Sequence, residues 1–235
     1  MASSAAAATA TAPWKQLILN ALESNSHLKH SSFLQLVLYS LSFPSFFSLM
    51  LSFSLCNFMP SRLLPLQATM GSNGRPSNRT VVFRGFQESS DKIQIHTDRR
   101  SRKVEDLWLC PLAEICWYFA DSWEQFRING RVEMIDEANQ DSLKLELREK
   151  AWHSCSTRSR LQYLGPSPGL PCLSEESTAE ASLDPSIGPV ASFCLLILDP
   201  EQVDYLNLKT NQRLAFMSKK SADEVKGWAL EKINP

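Results

Sequence analysis

The chain has 235 residues, 43% of them hydrophobic and 21% charged, a composition that suits one globular domain. Its formal net charge of -1 provides no overall basic field, which argues against general binding to nucleic acid or to an anionic membrane. The six cysteines form no C-x-x-C pair and complete no zinc pattern with the four histidines, so we expect reduced thiols and no structural metal.

The N-terminal residues 1–13 are small, polar and uncharged, and we expect them to be disordered. They lack the basic start and apolar run of a secretory signal and the arginines of a transit peptide. The cytoplasm is therefore the expected compartment, with a plastid or a membrane as alternatives. Residues 14–235 are expected to form a single domain, interrupted by an apolar segment at 37–67.

This apolar segment has an unusual composition. No charged residue occurs between Ser31 and Ser61, and the length would suit a membrane span. However, serine recurs every few residues, Pro44 lies in the middle, and no aromatic belt or basic flank marks the ends. A genuine membrane anchor is therefore an alternative rather than our interpretation.

The codons of the segment favour a different origin. Ser, Phe, Leu and Pro have pyrimidine-rich codons, Val37 at the start has codons beginning with GT, and Gln67 at the end can be encoded by CAG. Removing the segment joins Leu36 to Ala68 in one alternating strand, FLQLATM. We interpret 37–67 as a translated, retained intron that is extruded from the domain; a surface insertion is the remaining alternative.

In chain order, the hydrophobic pattern predicts one helix followed mainly by short strands. Helical spacing is found at 14–27, and helices are also expected at 101–110, beginning near Asp98, and at 141–154. Alternating patterns predict strands at 33–36 continued by 68–70, and at 79–86, 92–97, 113–119, 124–135, 191–198, 203–208 and 213–218. Asn73-Gly74 indicates a hairpin turn, and 165–189 a loop. The pattern favours a mainly β protein with flanking helices, built as a small barrel.

Cations and hydroxyls are concentrated in the stretches 79–84 and 96–103. They are Arg79, Arg84, Arg99, Arg100, Arg102, Lys103, Thr97 and Ser101. Arginine offers a planar fork of donors and a helix N-terminus offers free N–H groups, and residues 101–103 lie where a helix is expected to begin. This combination predicts a local phosphate site. A solvated basic face and a short nuclear-type signal are the alternatives on composition alone.

The order and spacing of these motifs resemble those of the pyridoxamine 5'-phosphate oxidase-like flavoproteins. The family pattern runs R-x-V-x-[FL]-[KR]-G, then [YH]-T-x-x-x-S-R-K, then a W-Y-F strand, then W-x-x-Q-x-R-[IV]-x-G-x-[AV]-E. The matching residues are Arg79, Val81, Phe83, Arg84, Gly85, His96, Thr97, Ser101, Arg102, Lys103, Trp117, Tyr118, Phe119, Trp123, Gln125, Arg127, Ile128, Gly130, Val132 and Glu133. Without 37–67, the resemblance covers nearly the whole chain from Pro13 and is strongest over 68–135.

This resemblance implies an FMN-binding split β-barrel that forms a homodimer with FMN at the subunit interface and acts on a small molecule. It assigns the FMN phosphate to Arg79, Arg102 and Lys103, with Ser101 beside them. It assigns the wall against the isoalloxazine ring to the backbone of Thr80, Val81, Val82, Phe83 and Arg84, with His96 and Thr97. Gln125 matches a side chain that bonds the flavin of the neighbouring subunit. No side chain is identified as a catalytic acid or base, since in this family the flavin carries the redox chemistry.

Two departures from the family pattern bear on the substrate. The family's Tyr…Arg-Pro-x-x-Ser segment corresponds to 144–152, where Arg148 is the candidate match and the other residues are missing. The late R-L-H-x-R element survives only as Arg213 and Leu214. We therefore expect an FMN-dependent oxidoreductase of a divergent branch, with an unidentified substrate and little pyridoxamine 5'-phosphate oxidase activity. A pyridoxamine 5'-phosphate oxidase proper and a non-catalytic flavin-binding module are the alternatives.

Overall fold

The computed structural model describes residues 12–29, 31–38, 77–171, 187–220 and 226–235. The helices in these ranges are α1 (Pro13–Ser24), α2 (Arg102–Leu109), α3 (Ser142–Ser154) and α4 (Thr157–Leu161), followed by a 3-10 turn at Gln162–Leu164. The strands are β1 (Phe33–Leu38), β2 (Ser77–Phe86), β3 (Ile93–Asp98), β4 (Leu112–Phe119), β5 (Glu124–Ile135), β6 (Phe193–Asn207), β7 (Gln212–Lys220) and β8 (Lys226–Ile233). Among these described helices, none is long and apolar enough to cross a membrane.

Six antiparallel strands close into a barrel. The order is β3-β2-β1-β4-β5-β6, and the first half of β6 pairs back onto β3. The second half of β6 stays paired with β5, but on its other edge it pairs with β7 instead of β3, and β7 pairs with β8. Closure reduces the exposed sheet edges that are the general difficulty of antiparallel sheets. The predicted fold class, a mainly β barrel with flanking helices, is confirmed.

Alternation along the strands fills the barrel with apolar side chains. In β1, Leu34, Leu36 and Leu38 point inward, and the intervening residues point outward. Aromatic side chains of β4 and β5 complete the interior, with Trp117 and Phe126 fully buried. Helix α1 closes one end of the barrel, because its amphipathic face carries apolar residues into the interior.

A second apolar layer lies on the outer face of β3, β5 and β6. Helix α3 packs there, with Trp152 in contact with Phe193 at a ring-centroid distance of 5.3 Å. Asp141 caps this helix by accepting bonds from the backbone N–H groups of Leu143 and Lys144. The sequence predicted α3 within one residue, but it did not predict α4 or β8.

Strand β6 differs from the prediction, which had two strands at 191–198 and 203–208. It is one strand of 15 residues, bent where its register with β5 shifts between Asn129 and Gly130. Gly130 is opposite Pro200 and Asn129 is opposite Gln202, so Glu201 is the extra residue of a bulge inside a continuous strand. A Cβ on Gly130 would lie 2.2 Å from the carbonyl oxygen of Asp199, so only glycine fits opposite the bulge.

The start of the predicted insert also needs correction. Strand β1 continues through Val37 and Leu38, which pair with β2 and β4. Leu38 is only 1% exposed, so these two residues belong to the barrel and are not extruded. The physical reason is that they extend the alternation of FLQL by one more apolar pair. Residues 1–11, 39–76 and 172–186 lie outside the described ranges, and so do the predicted junction at Ala68 and the Asn73-Gly74 turn.

Candidate functional site

The cation cluster forms where β2 and β3 approach the start of α2. Arg79 of β2 donates through Nη2 to Asp106 Oδ2 at 2.6 Å and through Nη1 to Ser77 Oγ at 2.6 Å. Lys103 Nζ donates to Thr97 Oγ1 at 2.7 Å and to Ser101 Oγ at 3.2 Å. The structure therefore brings together Arg79, Thr97, Ser101 and Lys103, as predicted.

Lys103 has the most unusual environment in this cluster. Burial lowers the pKa of its ammonium, and the neighbouring Arg79 guanidinium lowers that pKa further. Within the described ranges its Nζ contacts two neutral hydroxyls and forms no ion pair with a carboxylate. A partly buried cation without an anionic partner is suited to an anionic ligand, because the ligand would supply the missing counter-charge.

The N-terminus of α2 adds backbone donors to the same place. The first N–H groups of a helix have no partner inside the helix. Ser101, the N-cap, does not cap with its side chain; its hydroxyl donates instead to the Asp98 carbonyl at 2.7 Å. Arg102, at the first helical position, is exposed. The helix begins within one residue of the predicted position, but Asp98, a possible start signal, does not cap it; its carboxylate accepts from the Arg100 backbone and guanidinium.

Strand β2 presents two different surfaces. Side chains of Val81 and Phe83 point into the barrel, where Phe83 packs against Trp117 at 5.0 Å between ring centroids. The wall for the flavin ring, which the resemblance assigns to the backbone of this strand, stays a prediction. The ladder with β3 pairs Phe83 with Ile95 and Phe86 with Ile93, so among the described strands residues 77–82 have no partner on that edge. Thr80 and Val82 point outward, and the Thr80 hydroxyl accepts a bond from Gln35.

His96 and Thr97 lie on opposite faces of β3, since successive strand residues alternate. His96 Nδ1 lies 3.2 Å from Cys155 Sγ, and the His96 ring packs edge-on against Phe193. Its Nε2 is buried without a hydrogen-bond partner in the described part of the chain. Burial, with the positive charge of Arg84, lowers the pKa of His96 to about 4. The ring is therefore neutral at physiological pH.

The position of Gln125 bears on the subunit arrangement. It lies on β5, opposite Tyr118 of β4, on the outer face of the barrel. Strands β1 and β4 separate it from Val82 of β2, so three strand spacings of roughly 4.8 Å, about 14 Å in all, lie between them. Gln125 and β2 therefore lie on opposite sides of the six-stranded barrel.

The two predicted substrate arginines are both engaged with other groups in the chain. Arg148 is 4% exposed and donates to the carbonyl oxygens of Phe193 and Val190. Arg213 forms a forked ion pair with Asp204, with an Nη2–Oδ2 distance of 2.7 Å. In this structure Arg148 ties α3 to the start of β6, and Arg213 links β7 to β6.

Sequence reasoning did not identify two residues that the structure places at these sites. Asp106 is a buried carboxylate bonded to Arg79, and Cys155 is the neighbour of His96. The spacing of Asp106 from Lys103 shows only that both lie on one face of α2, so no sequence signal would have paired Asp106 with Arg79. The described residues contain no cluster of potential metal ligands, and four cysteines among them are free thiols: Cys110, Cys116, Cys155 and Cys194.

The site has the donors that FMN requires. A phosphate dianion needs cations and N–H groups, which Arg79, Lys103 and the start of α2 provide. The flat ring carries N–H and C=O groups at its rim, and the edge of β2 at residues 77–82, which pairs with no described strand on the β3 side, offers backbone groups of both kinds.

Comparison with known proteins agrees with this geometry. Residues 54–136 match the model of the family described as pyridoxamine 5'-phosphate oxidase, FMN-binding domain. A relative from Arabidopsis thaliana, pyridoxine/pyridoxamine 5'-phosphate oxidase 2, is 55% identical over 97% of this chain and 99% of its own length. A pyridoxine/pyridoxamine 5'-phosphate oxidase from Myxococcus xanthus is 36% identical over 32% of this chain and 35% of its own length.

Two solved structures extend the comparison. The pyridoxamine 5'-phosphate oxidase-related, FMN binding protein of Nostoc punctiforme is 34% identical, with a TM-score of 0.75 over 97% of this chain and 100% of its own. PhzG from Burkholderia lata is 14% identical, with a TM-score of 0.63 over 95% of this chain and 93% of its own, which shows a shared fold alone. The long alignments at substantial identity establish the relationship: the chain is an FMN-binding flavoprotein of the pyridoxamine 5'-phosphate oxidase-like split-barrel family.

Proposed function

We propose that the protein is an FMN-dependent oxidoreductase that acts on a small molecule and holds the FMN phosphate between Arg79, Lys103 and the N-terminus of α2. The observation that carries this assignment is the Lys103 ammonium, which is partly buried and bonded to two hydroxyls, with no carboxylate partner in the part of the chain that the structure describes. An incoming phosphate would neutralise the Lys103 ammonium and accept hydrogen bonds from the N–H groups at the start of the helix.

The ring would lie along β2, with its rim groups bonded to the backbone edge of residues 77–82 that has no registered partner on β3. When bound, FMN supplies the acceptor for the electrons that the substrate gives up. The protein binds and orients it. Because His96 is neutral, it adds no second positive charge beside Arg84. Arg84 has no ion-pair partner among the described residues, so its guanidinium is available to an anionic group of the substrate.

We also propose a homodimer with FMN at the interface. Gln125, which the family pattern assigns to the flavin, is about 14 Å along the sheet from β2, so its partner flavin would belong to the other subunit. The outer face around it carries exposed apolar side chains, among them Phe33, Tyr118 and Met217. Apolar groups on one sheet face suit burial against a second copy.

A pyridoxine/pyridoxamine 5'-phosphate oxidase proper is the second candidate, because the Arabidopsis thaliana relative has that name at 55% identity. The surroundings of Arg148 and Arg213 argue against it. Their guanidinium groups already bond to backbone carbonyls and to Asp204, so a substrate phosphate would have to displace these contacts.

The test uses the purified full-length protein loaded with FMN. Its absorbance spectrum gives the flavin-to-protein ratio, and bleaching of the flavin band under anaerobic conditions identifies reductants among NADPH, primary amines and pyridoxamine 5'-phosphate. Reduction by any of them, with reoxidation in air, supports an oxidoreductase. Protein that binds FMN but resists reduction by all of them would be a flavin-binding module. Efficient aldehyde formation from pyridoxamine 5'-phosphate would favour the second candidate.

A further inference from the structure

A carboxylate lies inside the cation cluster that we assign to the FMN phosphate. Asp106, in the second turn of α2, is 6% exposed, and its Oδ2 lies 2.6 Å from Arg79 Nη2. Ser77 accepts from the other terminal nitrogen of Arg79, also at 2.6 Å. The fork of Arg79 is therefore held at both of its terminal nitrogens.

This carboxylate has two opposing effects on a phosphate. Its negative charge repels the dianion, which weakens binding. Its bond to Arg79 fixes a long, flexible side chain, which removes the entropy that Arg79 would otherwise lose on binding. The bond also counters the repulsion between Arg79 and Lys103, two cations close enough for Arg79 to lower the pKa of Lys103.

We propose that Asp106 is a positioning residue for the FMN phosphate: it orients Arg79 toward the start of α2, and this orientation outweighs its charge repulsion. The proposal rests on the phosphate site of the proposed function. A positioned donor contributes more binding free energy than a mobile one, because its rotamer freedom has been lost before the ligand binds. Asp106 thus acts on FMN through Arg79 and does not itself contact the phosphate.

Three variants separate orientation from charge. Asp106→Ala removes both, and we expect FMN affinity to fall about tenfold, the scale of one charge-assisted bond. Asp106→Asn keeps an oxygen that accepts from Arg79, and we expect affinity to stay within about threefold of the parent protein. Ser77→Ala loosens the same guanidinium without changing any charge, so it should weaken FMN in the same direction as Asp106→Ala. Glu105→Ala, an exposed position on the same helix, is the matched control.

Each variant is titrated with FMN and with riboflavin, which has the same ring and ribityl chain but no phosphate. Loss confined to FMN is expected, because a general disturbance of the barrel would weaken both ligands. Equal losses for Asp106→Ala and Asp106→Asn, unchanged FMN affinity in Asp106→Ala, or parallel losses for riboflavin would each overturn the proposal. If Asp106→Ala does not fold, the FMN and riboflavin affinities of Asp106→Asn and Ser77→Ala provide the test.

Lys103→Met distinguishes this inference from the function on which it rests. If Lys103→Met weakens FMN and the Asp106 variants do not, only the role of Asp106 is wrong. If Lys103→Met leaves FMN affinity unchanged, the phosphate site itself has been assigned wrongly.

Discussion

Replacing Lys103 by Met is the most direct perturbation of the phosphate site. Methionine keeps an unbranched chain of similar length and removes the ammonium that donates to Thr97 and Ser101. The backbone of α2 and the guanidinium of Arg79 are left in place. The variant therefore tests the charge that has no ion-pair partner among the described residues.

The expected loss follows from the kind of bond that is removed. A hydrogen bond to a charged group contributes about 1.5–3 kcal/mol, which corresponds to a roughly 10- to 150-fold rise in the Kd for FMN. The weaker binding also reduces the stability that bound FMN gives to the folded protein. FMN at a hundred times the parent Kd stabilises the folded protein by about 2.7 kcal/mol, and a hundredfold weaker site retains about 0.4 kcal/mol of this at the same concentration.

The pH dependence supplies an independent readout. Burial and Arg79 lower the pKa of Lys103 below 10.5, so the ammonium loses its proton at a lower pH than an ordinary lysine. A phosphate binds the protonated form, so FMN affinity should fall as pH rises through that lowered pKa. This alkaline loss should be absent in Lys103→Met, because methionine does not titrate.

The assay is quenching of FMN fluorescence during titration of apoprotein, with thermal unfolding in the presence and absence of FMN. Lys150→Met is the control, because Lys150 pairs with Glu146 on the exposed face of α3, away from the cluster. An unchanged Kd for FMN in Lys103→Met would refute the phosphate assignment. An equal loss of riboflavin affinity would also refute it, because riboflavin has no phosphate to lose.

Four further predictions concern the rest of the molecule. Gly130→Ala should lower the free energy of unfolding by about 1–3 kcal/mol or more, since its Cβ would meet a backbone carbonyl of β6 at 2.2 Å. Gly227→Ala is the control: its Cβ would make only an ordinary contact, so thermal unfolding should change far less. The lowered pKa of His96 means that the unfolded chain binds more protons than the folded protein between about pH 4 and 6.5, so the free energy of unfolding should fall as pH drops through this range. His96→Gln should flatten this fall in denaturant titrations. Arg148→Met should lower the free energy of unfolding by about 1–3 kcal/mol by leaving two carbonyls without their donor, and the KM of any substrate that reduces the flavin should stay unchanged. A selective rise in KM would instead support a substrate role for Arg148. If 37–67 is a retained intron, its deletion should raise soluble yield and the flavin-to-protein ratio, and equal values for both forms would count against that interpretation.

The residue pattern was sufficient to predict much of the fold. Alternating apolar residues identified strand β5 with its observed bounds and β2, β3, β4 and β7 to within two residues at either end, because the period of two depends only on local backbone geometry. Ordered motifs predicted a family whose FMN-binding character the comparisons confirm. They also placed Arg79, Thr97, Ser101 and Lys103 at one site, and the structure brings these four together.

Other features depended on which residues meet across the barrel. Periodicity shows that His96 and Thr97 point to opposite faces, but the register of β3 with β2 and β6 decides which face meets the cation cluster and which meets α3. The partner of Arg79 is 27 residues away on another element, so no local pattern specifies Asp106. Arg148 matched a substrate residue by position, yet packing against β6 turned its donors inward. Sequence periodicity is set by each strand and helix alone, whereas contacts between side chains of distant elements form when the sheet closes.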